Sequence, residues 1–283
     1  MSQFQIGVLI DGFRAELPVA LGLAEKAGVK GIQIYSTRGD MAPENLTPAK
    51  RRELLDRVKS HGLVVSALCG DLGGGGFTKP ERNAEKIERS RRILDLAKDL
   101  ETDVVTTHIG VVPGDAAHPR YGIMQEACGA LAAYADDLGA HFAIETGPET
   151  SAVLKPFLDS LGSRGVAVNL DPANLVMVTG DDPTKAVLTL RDYIVHTHAK
   201  DGVQLYFRDP DAVYGMVESE IVTSPSYLEV PLGQGQVDWP AYLDALREIG
   251  YNGFLTIERE VGDDPYKDIV GAVEFLKKLT IDS

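Results

Sequence analysis

Short apolar runs rich in β-branched residues recur along the chain, each followed by a longer stretch with helical spacing. The runs are QIGVLI (5–10), VKGIQIY (29–35), LVVSALC (63–69), DVVTTHIG (103–110), HFAIE (141–145), VAVNLD (166–171), YIVHTH (193–198) and FLTIE (254–258). They are nearly continuous rather than alternating, which predicts strands of a parallel sheet buried on both faces. The stretches between them carry helix punctuation. LTPAKRRELLDRVKSHG offers Thr47 as N-cap, Pro48 at the first helical position and Gly62 as the stop. TKPERNAEKIERSRRILDLAKDL begins with Thr78 and carries Glu81 three residues later, a capping box. DDPTKAVLTL opens on Asp182 and Pro183, and DWPAYLDALREIG opens on Asp238 and stops at Gly250. Eight strand–helix units in one chain predict an α/β protein, a closed (β/α)8 barrel filling residues 1–283 as a single domain. A doubly wound open sheet is the rival, but no glycine fingerprint follows the first strand.

The alternation breaks once. Between Asp201 and Asp238 lies a long segment, at about 202–237, that contains LYFRDPDAVYG and the turn-rich PLGQGQ. A connection of this length in a compact domain predicts a lid or a subunit contact, with a tolerated insertion as the plain alternative. A subunit contact would make the protein a homo-oligomer. A second biased patch, GDLGGGGFTK (70–79), lacks the GxxxxGK[ST] spacing of a phosphate loop and is expected to be a mobile loop over the barrel mouth. Trp239 is expected to serve packing at the start of the last barrel helix.

Composition narrows the function. The chain has 283 residues, 44% of them apolar, and a net charge of −14. So acidic a surface argues against nucleic acid as a partner, because neutralising phosphates needs a basic face. Two cysteines, Cys69 and Cys128, with no CxxC spacing, suggest a reducing cytoplasm. The N-terminal MSQFQIGVLIDGF lacks a basic leader, and its apolar run is too short for a signal or a membrane span.

Catalytic groups in such barrels come from the C-terminal ends of the strands. Read that way, strand ends supply His108, Glu145, Asp171, His198 and Glu258, with Cys69 and Asp71 after the third strand and Asp11 after the first. Any one of these is a charged turn residue on the bland reading. Glu145, Asp171, His198 and Glu258 end four consecutive barrel strands and can converge on one axis. Three carboxylates and one imidazole suit Mn²⁺ first, with Mg²⁺ or Co²⁺ as alternatives, better than a thiolate-rich zinc site. Without a cation the three carboxylates would repel one another.

His196 and His198 lie two apart, so both face the barrel interior. They differ in depth by about 6–7 Å, from a rise of ~3.3 Å per residue. His198, nearer the mouth, is the candidate metal ligand. His196 is expected one layer lower, hydrogen-bonded or supporting a ligand. Lys200 continues the same face, either toward a substrate oxygen or out to solvent. His108 and Asp71 are further candidates for substrate contact.

The ordered set AIETG, NLDPANL, HTHAKD and LTIERE (143–147, 169–175, 196–201, 255–260) resembles the sugar isomerase/epimerase superfamily built on the xylose-isomerase-like TIM barrel. The resemblance implies a bound Mn²⁺, Mg²⁺ or Co²⁺ held by Glu145, Asp171, His198 and Glu258. It further implies that Glu145 and Glu258 act as the acid/base pair. That chemistry runs through a metal-stabilised enediolate and gives an epimerase or isomerase of small carbohydrates or polyols. The same site supports a lyase or dehydratase acting on a keto-inositol or keto-glycoside. Ketose 3-epimerases carry a histidine three residues after the aspartate and an arginine six after the metal histidine. This chain has Asn174 and Gln204 there, and its HxHxKD form is closer to the inosose dehydratases and sugar phosphate isomerases. Asn174 is thereby a candidate substrate contact. The endonuclease IV branch shares the fold but uses a histidine-rich three-zinc cluster, and here His61, His118 and His141 fall at poor places for ligation.

Overall fold

The computed structural model describes residues 4–217 and 224–281. Its strands are β1 (Gln5–Leu9), β2 (Gly31–Tyr35), β3 (Val64–Cys69), β4 (Val104–Thr107), β5 (His141–Glu145), β6 (Val166–Leu170), β7 (Ile194–Ala199), β8 (Asp201–Gln204), β9 (Tyr227–Val230) and β10 (Phe254–Ile257). Eight of them close a parallel barrel in the order β1-β10-β7-β6-β5-β4-β3-β2. The helices are α1 (Leu17–Ala27), α2 (Pro48–Ser60), α3 (Pro80–Asp99), α4 (Pro119–Asp137), α5 (Ser151–Leu161), α6 (Pro183–Thr189), α7 (Trp239–Glu248) and α8 (Pro265–Ile281). One α/β domain results, a (β/α)8 TIM barrel.

The helix punctuation works as the residue chemistry dictates in three cases. Thr47 accepts from the Lys50 N–H, Asp182 from the Thr184 and Lys185 N–H groups, and Asp238 from the Ala241 N–H. Each satisfies amides that the first helical turn leaves without partners. The Thr78–Glu81 capping box does not form. Pro80 takes the first helical position, which makes Lys79 the N-cap, and the Thr78 hydroxyl donates to Gly75 O instead.

The apolar core lies between barrel and helices, with Leu21, Ile32, Leu94, Phe142, Phe157, Leu246 and Leu276 fully buried. Inside the barrel the upper layers are polar. Gln33, Thr106, Asn169, His196, His198 and Thr256 are all buried and hydrogen-bonded to one another. Burying that many polar groups is tolerable only because they satisfy each other.

The long segment after β7 is an excursion with its own structure. β8 and β9 pair antiparallel, and a short helical turn (Pro210–Val213) lies between them; residues 218–223 fall outside the described part. Asp201 staples both ends of the excursion. Its Oδ1 accepts from the N–H groups of Gly202 (2.9 Å) and Val237 (3.3 Å). Its Oδ2 accepts from the Gly233 N–H (2.8 Å) and from Trp239 Nε1 (3.0 Å). Trp239 therefore anchors the excursion as well as packing. Arg120 of α4 makes a second tie through both oxygens of Asp211 (2.8 and 3.1 Å).

The glycine run expected to be mobile is fastened. Gly73, Gly74, Gly75 and Gly76 all have φ between 61° and 76° and form a left-handed turn. Lys86 donates to Gly73 O and Gly76 O, and a Cβ at Gly76 would overlap the Ile109–Gly110 backbone. Only glycine supplies both the dihedrals and the close approach.

Candidate metal centre

β5, β6, β7 and β10 are consecutive around one side of the barrel, and their ends carry Glu145, Asp171, His198 and Glu258. One ligand-type atom from each of these buried residues lies within 4.8 Å of every other. His198 Nδ1 is at the centre, 3.5 Å from Glu145 Oε1, 3.5 Å from Asp171 Oδ2 and 3.2 Å from Glu258 Oε2. The other ring nitrogen fixes the ring. Nε2–H donates to Gln33 Oε1 (2.9 Å), and Gln33 Nε2 in turn donates to Thr106 Oγ1 (2.8 Å). With Nε2 committed as a donor to Gln33, Nδ1 is the nitrogen that faces the carboxylates, and it offers a lone pair to a cation once its own proton has left.

Each carboxylate is oriented differently. Glu145 accepts from the side-chain amides of Asn174 at Oε1 (3.1 Å) and Asn169 at Oε2 (3.2 Å), and His108 Nε2 stands 3.5 Å from Oε1. Asp171 caps the short turn after β6, its Oδ1 accepting from the Asn174 N–H (2.9 Å). Asp171 Oδ2, buried, has no hydrogen-bond partner among the described residues. Glu258 Oε2 pairs with Lys200 Nζ at 3.1 Å, and Lys200 reaches Glu260 at 2.8 Å. Burial by itself would raise all three carboxyls. His108 and His198 nevertheless hold Glu145 below the usual range, and Lys200 and His198 hold Glu258 well below it. For Asp171 burial prevails and the carboxyl is raised. Burial would lower His198, but Glu258 and Glu145 outweigh it and hold the imidazole well above its ordinary value.

The donor set fits a hard divalent cation. Three oxygens and one nitrogen converge, an orphaned carboxylate oxygen points into the cluster, and the Nε2–Gln33 hydrogen bond keeps Nδ1 turned toward the carboxylates. The arrangement can hold a metal ion.

His196 sits one layer below, its ring centroid 5.8 Å from that of His198. Its Nδ1–H donates to Asn169 Oδ1 (2.8 Å), and its Nε2 accepts from the Thr256 hydroxyl (2.9 Å). Burial keeps it neutral. Through Asn169 it orients Glu145 rather than entering the cluster. Lys200 is 5% exposed, which removes the solvent-facing reading. Lys200, His108, Asn174 and Asp71 all line the cavity of about 630 Å³ above the cluster. Asp71 is partly committed, since its Oδ1 accepts from the Gly73 N–H. Asp11 and Cys69 differ: Asp11 accepts from the Tyr35 N–H away from this cavity, whereas Cys69 is buried in its lining.

Residue patterns alone miss four participants. Gln33 and Asn169 were visible as single amides in the otherwise apolar GIQIY and VAVNL strands. Tyr214, from the excursion, sets its ring at a tilt to that of His108, centroids 5.8 Å apart, and had no local signal. It approaches because residue 147 is glycine: a Cβ there would sit 2.5 Å from Asn174 Cβ and 3.0 Å from the Tyr214 hydroxyl. Glu149, on the same β5–α5 connection, is buried and accepts from the Val112 N–H (3.0 Å) with its other oxygen unpartnered among the described residues.

By sequence, the chain is 33% identical to the Bacillus subtilis (strain 168) protein YfiH over 120 residues, 40% of this chain and 37% of that one. It is 28% identical to an inosose dehydratase of Lacticaseibacillus casei over 131 residues, 45% and 41% of the two chains. It thus spans well under half the length of these two relatives. Among solved structures, a xylose isomerase domain protein from Planctomyces limnophilus superposes with a TM-score of 0.81 at 26% identity, covering 99% of both chains. A D-psicose 3-epimerase crystallised with D-fructose superposes with a TM-score of 0.74 at 17% identity, over 98% of this chain and 99% of that one, a likeness of fold. The sequence profile of the xylose isomerase-like TIM barrels matches residues 21–279, and the chain belongs to that family.

Proposed function

We propose that the protein is a divalent-metal-dependent isomerase or epimerase of a keto-sugar or sugar-like polyol. Glu145 and Glu258 serve as the acid/base pair of an enediolate mechanism. The observation that carries this reading is the convergence of Glu145, Asp171, His198 and Glu258, with Glu145 and Glu258 lining one cavity and a buried Asp171 oxygen left unpartnered. When bound, a divalent ion (Mn²⁺ first, then Mg²⁺ or Co²⁺) supplies the charge that lowers the cost of an enediolate formed from a carbonyl and its neighbouring hydroxyl. His198 and Asp171 would hold that ion together with the two glutamates. Glu145 and Glu258 stand at the ends of strands three steps apart around the barrel. One takes the proton from the carbon beside the carbonyl and the other returns a proton from the far side. His108, Asn174, Lys200 and Asp71 line the space in which substrate hydroxyls would lie.

A second reading has one observation of its own, the sequence match to an inosose dehydratase. The same first proton abstraction, followed by expulsion of a hydroxyl from the next carbon, makes the enzyme a lyase. Solvent deuterium exchange into keto-sugars and inososes, read by NMR and mass spectrometry on metal-loaded protein, separates the two. Exchange with isomer formation supports the first reading, and loss of water without an isomer supports the second. A purified protein that takes up no divalent ion, or Glu145→Gln and Glu258→Gln variants with undiminished turnover, would end both. The charge of −14 argues against nucleic acid as a partner, and two buried free thiols fit a reducing cytoplasm. No helix among the described residues is long and apolar enough to cross a membrane.

A further inference from the structure

The cavity over the carboxylate cluster has two unlike parts. Its floor is the polar group already described. Much of the rest of its lining is apolar: Met177 and Val178 from the turn after β6, then Val213 and Tyr214 from the excursion. Together with Ala173 these residues form a hydrophobic cluster separate from the main core. The apolar surface continues to the rim, where Leu228 and Val261 are each 46% exposed and Tyr227 is 37% exposed. Met177 and Val178 are themselves buried, so the apolar surface left open beside the polar floor is that of the rim, and such a surface is one that something apolar covers.

Charge and size restrict what that is. Lys200 is the one lysine or arginine among the described residues of the lining, and its contacts are taken by Glu258 and Glu260. Arg259, nearby, is spent on Glu229 and Asp268. The lining acids are Asp71, Glu145, Glu229, Glu258 and Glu260, so a phosphate or carboxylate on the substrate would meet like charge with no free lysine or arginine among the described residues of the lining. At about 630 Å³ the cavity also has room beyond a six-carbon polyol. That volume lies within the roughly 300–1,000 Å³ range of sites for drug-sized ligands.

We propose that the site takes an uncharged sugar carrying an apolar substituent, such as an aryl or alkyl aglycone. The polyol lies on the carboxylate floor, and the substituent packs against Met177, Val178, Val213 and Tyr214 under the Leu228–Val261 rim. The proposal rests on the reading of the floor as a sugar site.

The test uses Mn²⁺-loaded protein and calorimetric titration with the methyl and phenyl β-glycosides of 3-keto-D-glucose, glucose 6-phosphate and phenol. The phenyl glycoside is expected to bind about tenfold more tightly than the methyl glycoside, from the extra apolar area buried. The Leu228→Ser/Val261→Ser double variant changes exposed rim positions only. It should reduce that preference to about threefold or less. Equal affinity for the two glycosides, a preference that survives the double variant, or tighter binding of glucose 6-phosphate than of the methyl glycoside overturns the proposal. The two layers fail differently. If the methyl glycoside binds, is lost in Glu258→Gln, and gains nothing from a phenyl group, the apolar wall is wrong and the sugar floor stands. If phenol binds and is lost in the double variant while neither glycoside binds, the sugar floor is wrong, and the proposal falls with it.

Discussion

Gln33 is the residue on which the metal reading is most exposed to refutation. It touches no candidate ligand oxygen; it accepts one hydrogen bond, from His198 Nε2–H at 2.9 Å, and donates one, to Thr106 Oγ1 at 2.8 Å. All three groups are buried. Gln33→Leu keeps the bulk but strands Nε2–H in a dry interior, at a cost of about 1–3 kcal/mol for an unsatisfied donor. Part of that cost is avoided if the ring turns or gives up its Nε2 proton, and both escapes spoil Nδ1 as the nitrogen presented to a cation among the carboxylates. Loss of such a partner behind a metal-bound histidine typically weakens metal affinity by about 10–100-fold, or about 1.4–2.8 kcal/mol, the same size as the stranded donor. Thr106→Val removes only the anchor of the Gln33 amide, so its effect should be smaller, within about tenfold. The assay is calorimetric Mn²⁺ titration of wild type and both variants, with urea unfolding to confirm that each is folded. An unchanged Mn²⁺ affinity in Gln33→Leu, or a larger loss in Thr106→Val than in Gln33→Leu, would refute the reasoning.

In the metal-free protein His198 is held charged, because Glu258 and Glu145 outweigh its burial, so a metal must displace a proton from Nδ1. About one proton should be released per Mn²⁺ near neutral pH, and affinity should fall about tenfold per unit as the pH drops below the raised value; calorimetry in buffers of different ionisation enthalpy measures this, and zero release contradicts it. Glu149 is pushed by burial from 4.5 to about 8, against the opposing Val112 N–H and Arg120 charge. Its folded-state value lies above the unfolded one, so stability is lost as pH rises from about 4.5 to about 8. Urea unfolding should show Glu149→Gln gaining on wild type by about 3 kcal/mol between pH 6 and pH 9, at ~1.4 kcal/mol per unit over two units; a gap that does not change with pH would rule this out. Asp201→Ala removes the acceptor of all four staple bonds, and should cost about 3–5 kcal/mol in urea unfolding, as for other buried charges whose network is cut. It should also speed amide exchange at Gly233, and a loss under 1 kcal/mol would show the excursion to be held elsewhere.

The barrel was legible because its strands are apolar on both faces and its helices begin with capping side chains, both local properties of the chain. The separation of His196 from His198 was also legible, since a period of two fixes the face and the rise fixes the depth. What the strand pattern concealed is that the barrel interior is a hydrogen-bonded polar network. Gln33, Asn169 and Thr256 are each one polar residue in an apolar run, and their purpose depends on partners far away in the chain, such as Gln33 with His198 across |i−j|=165. The capping box at Thr78 failed for a similar reason. Its local chemistry was sound, but Pro80 and the carbonyl of Gly75 competed for the same residues. The apolar wall was invisible, because Tyr214 and Leu228 reach the cavity only after Asp201 and Arg120 have fastened the excursion over it.

The two glutamates are not interchangeable, and their neighbours say how they differ. Glu258 is held by a buried ammonium, Lys200 Nζ at 3.1 Å, whereas Glu145 is held by two neutral amides, Asn169 and Asn174. Removing Lys200's charge while keeping its length, in Lys200→Met, takes away the larger of the two counter-charges on Glu258 and leaves it buried beside Glu260 with His198 alone. Breaking a buried pair from one side typically costs about 3–5 kcal/mol unless the remaining group takes up a proton. Glu258 would do so, and a protonated Glu258 can neither accept a proton nor donate a strong lone pair to a cation. Asn174→Ala by contrast removes one neutral hydrogen bond from Glu145, worth about 0.5–1.5 kcal/mol, and leaves its ionisation in the hands of His108 and His198. On the proposed function Lys200→Met should therefore abolish solvent exchange at the substrate carbon and weaken Mn²⁺ binding together. Asn174→Ala should slow exchange by about tenfold or less with Mn²⁺ affinity little changed. If the two variants lose exchange and metal affinity in equal proportion, the lysine is packing rather than electrostatics, and the inequality of the two carboxylates has no part in the chemistry.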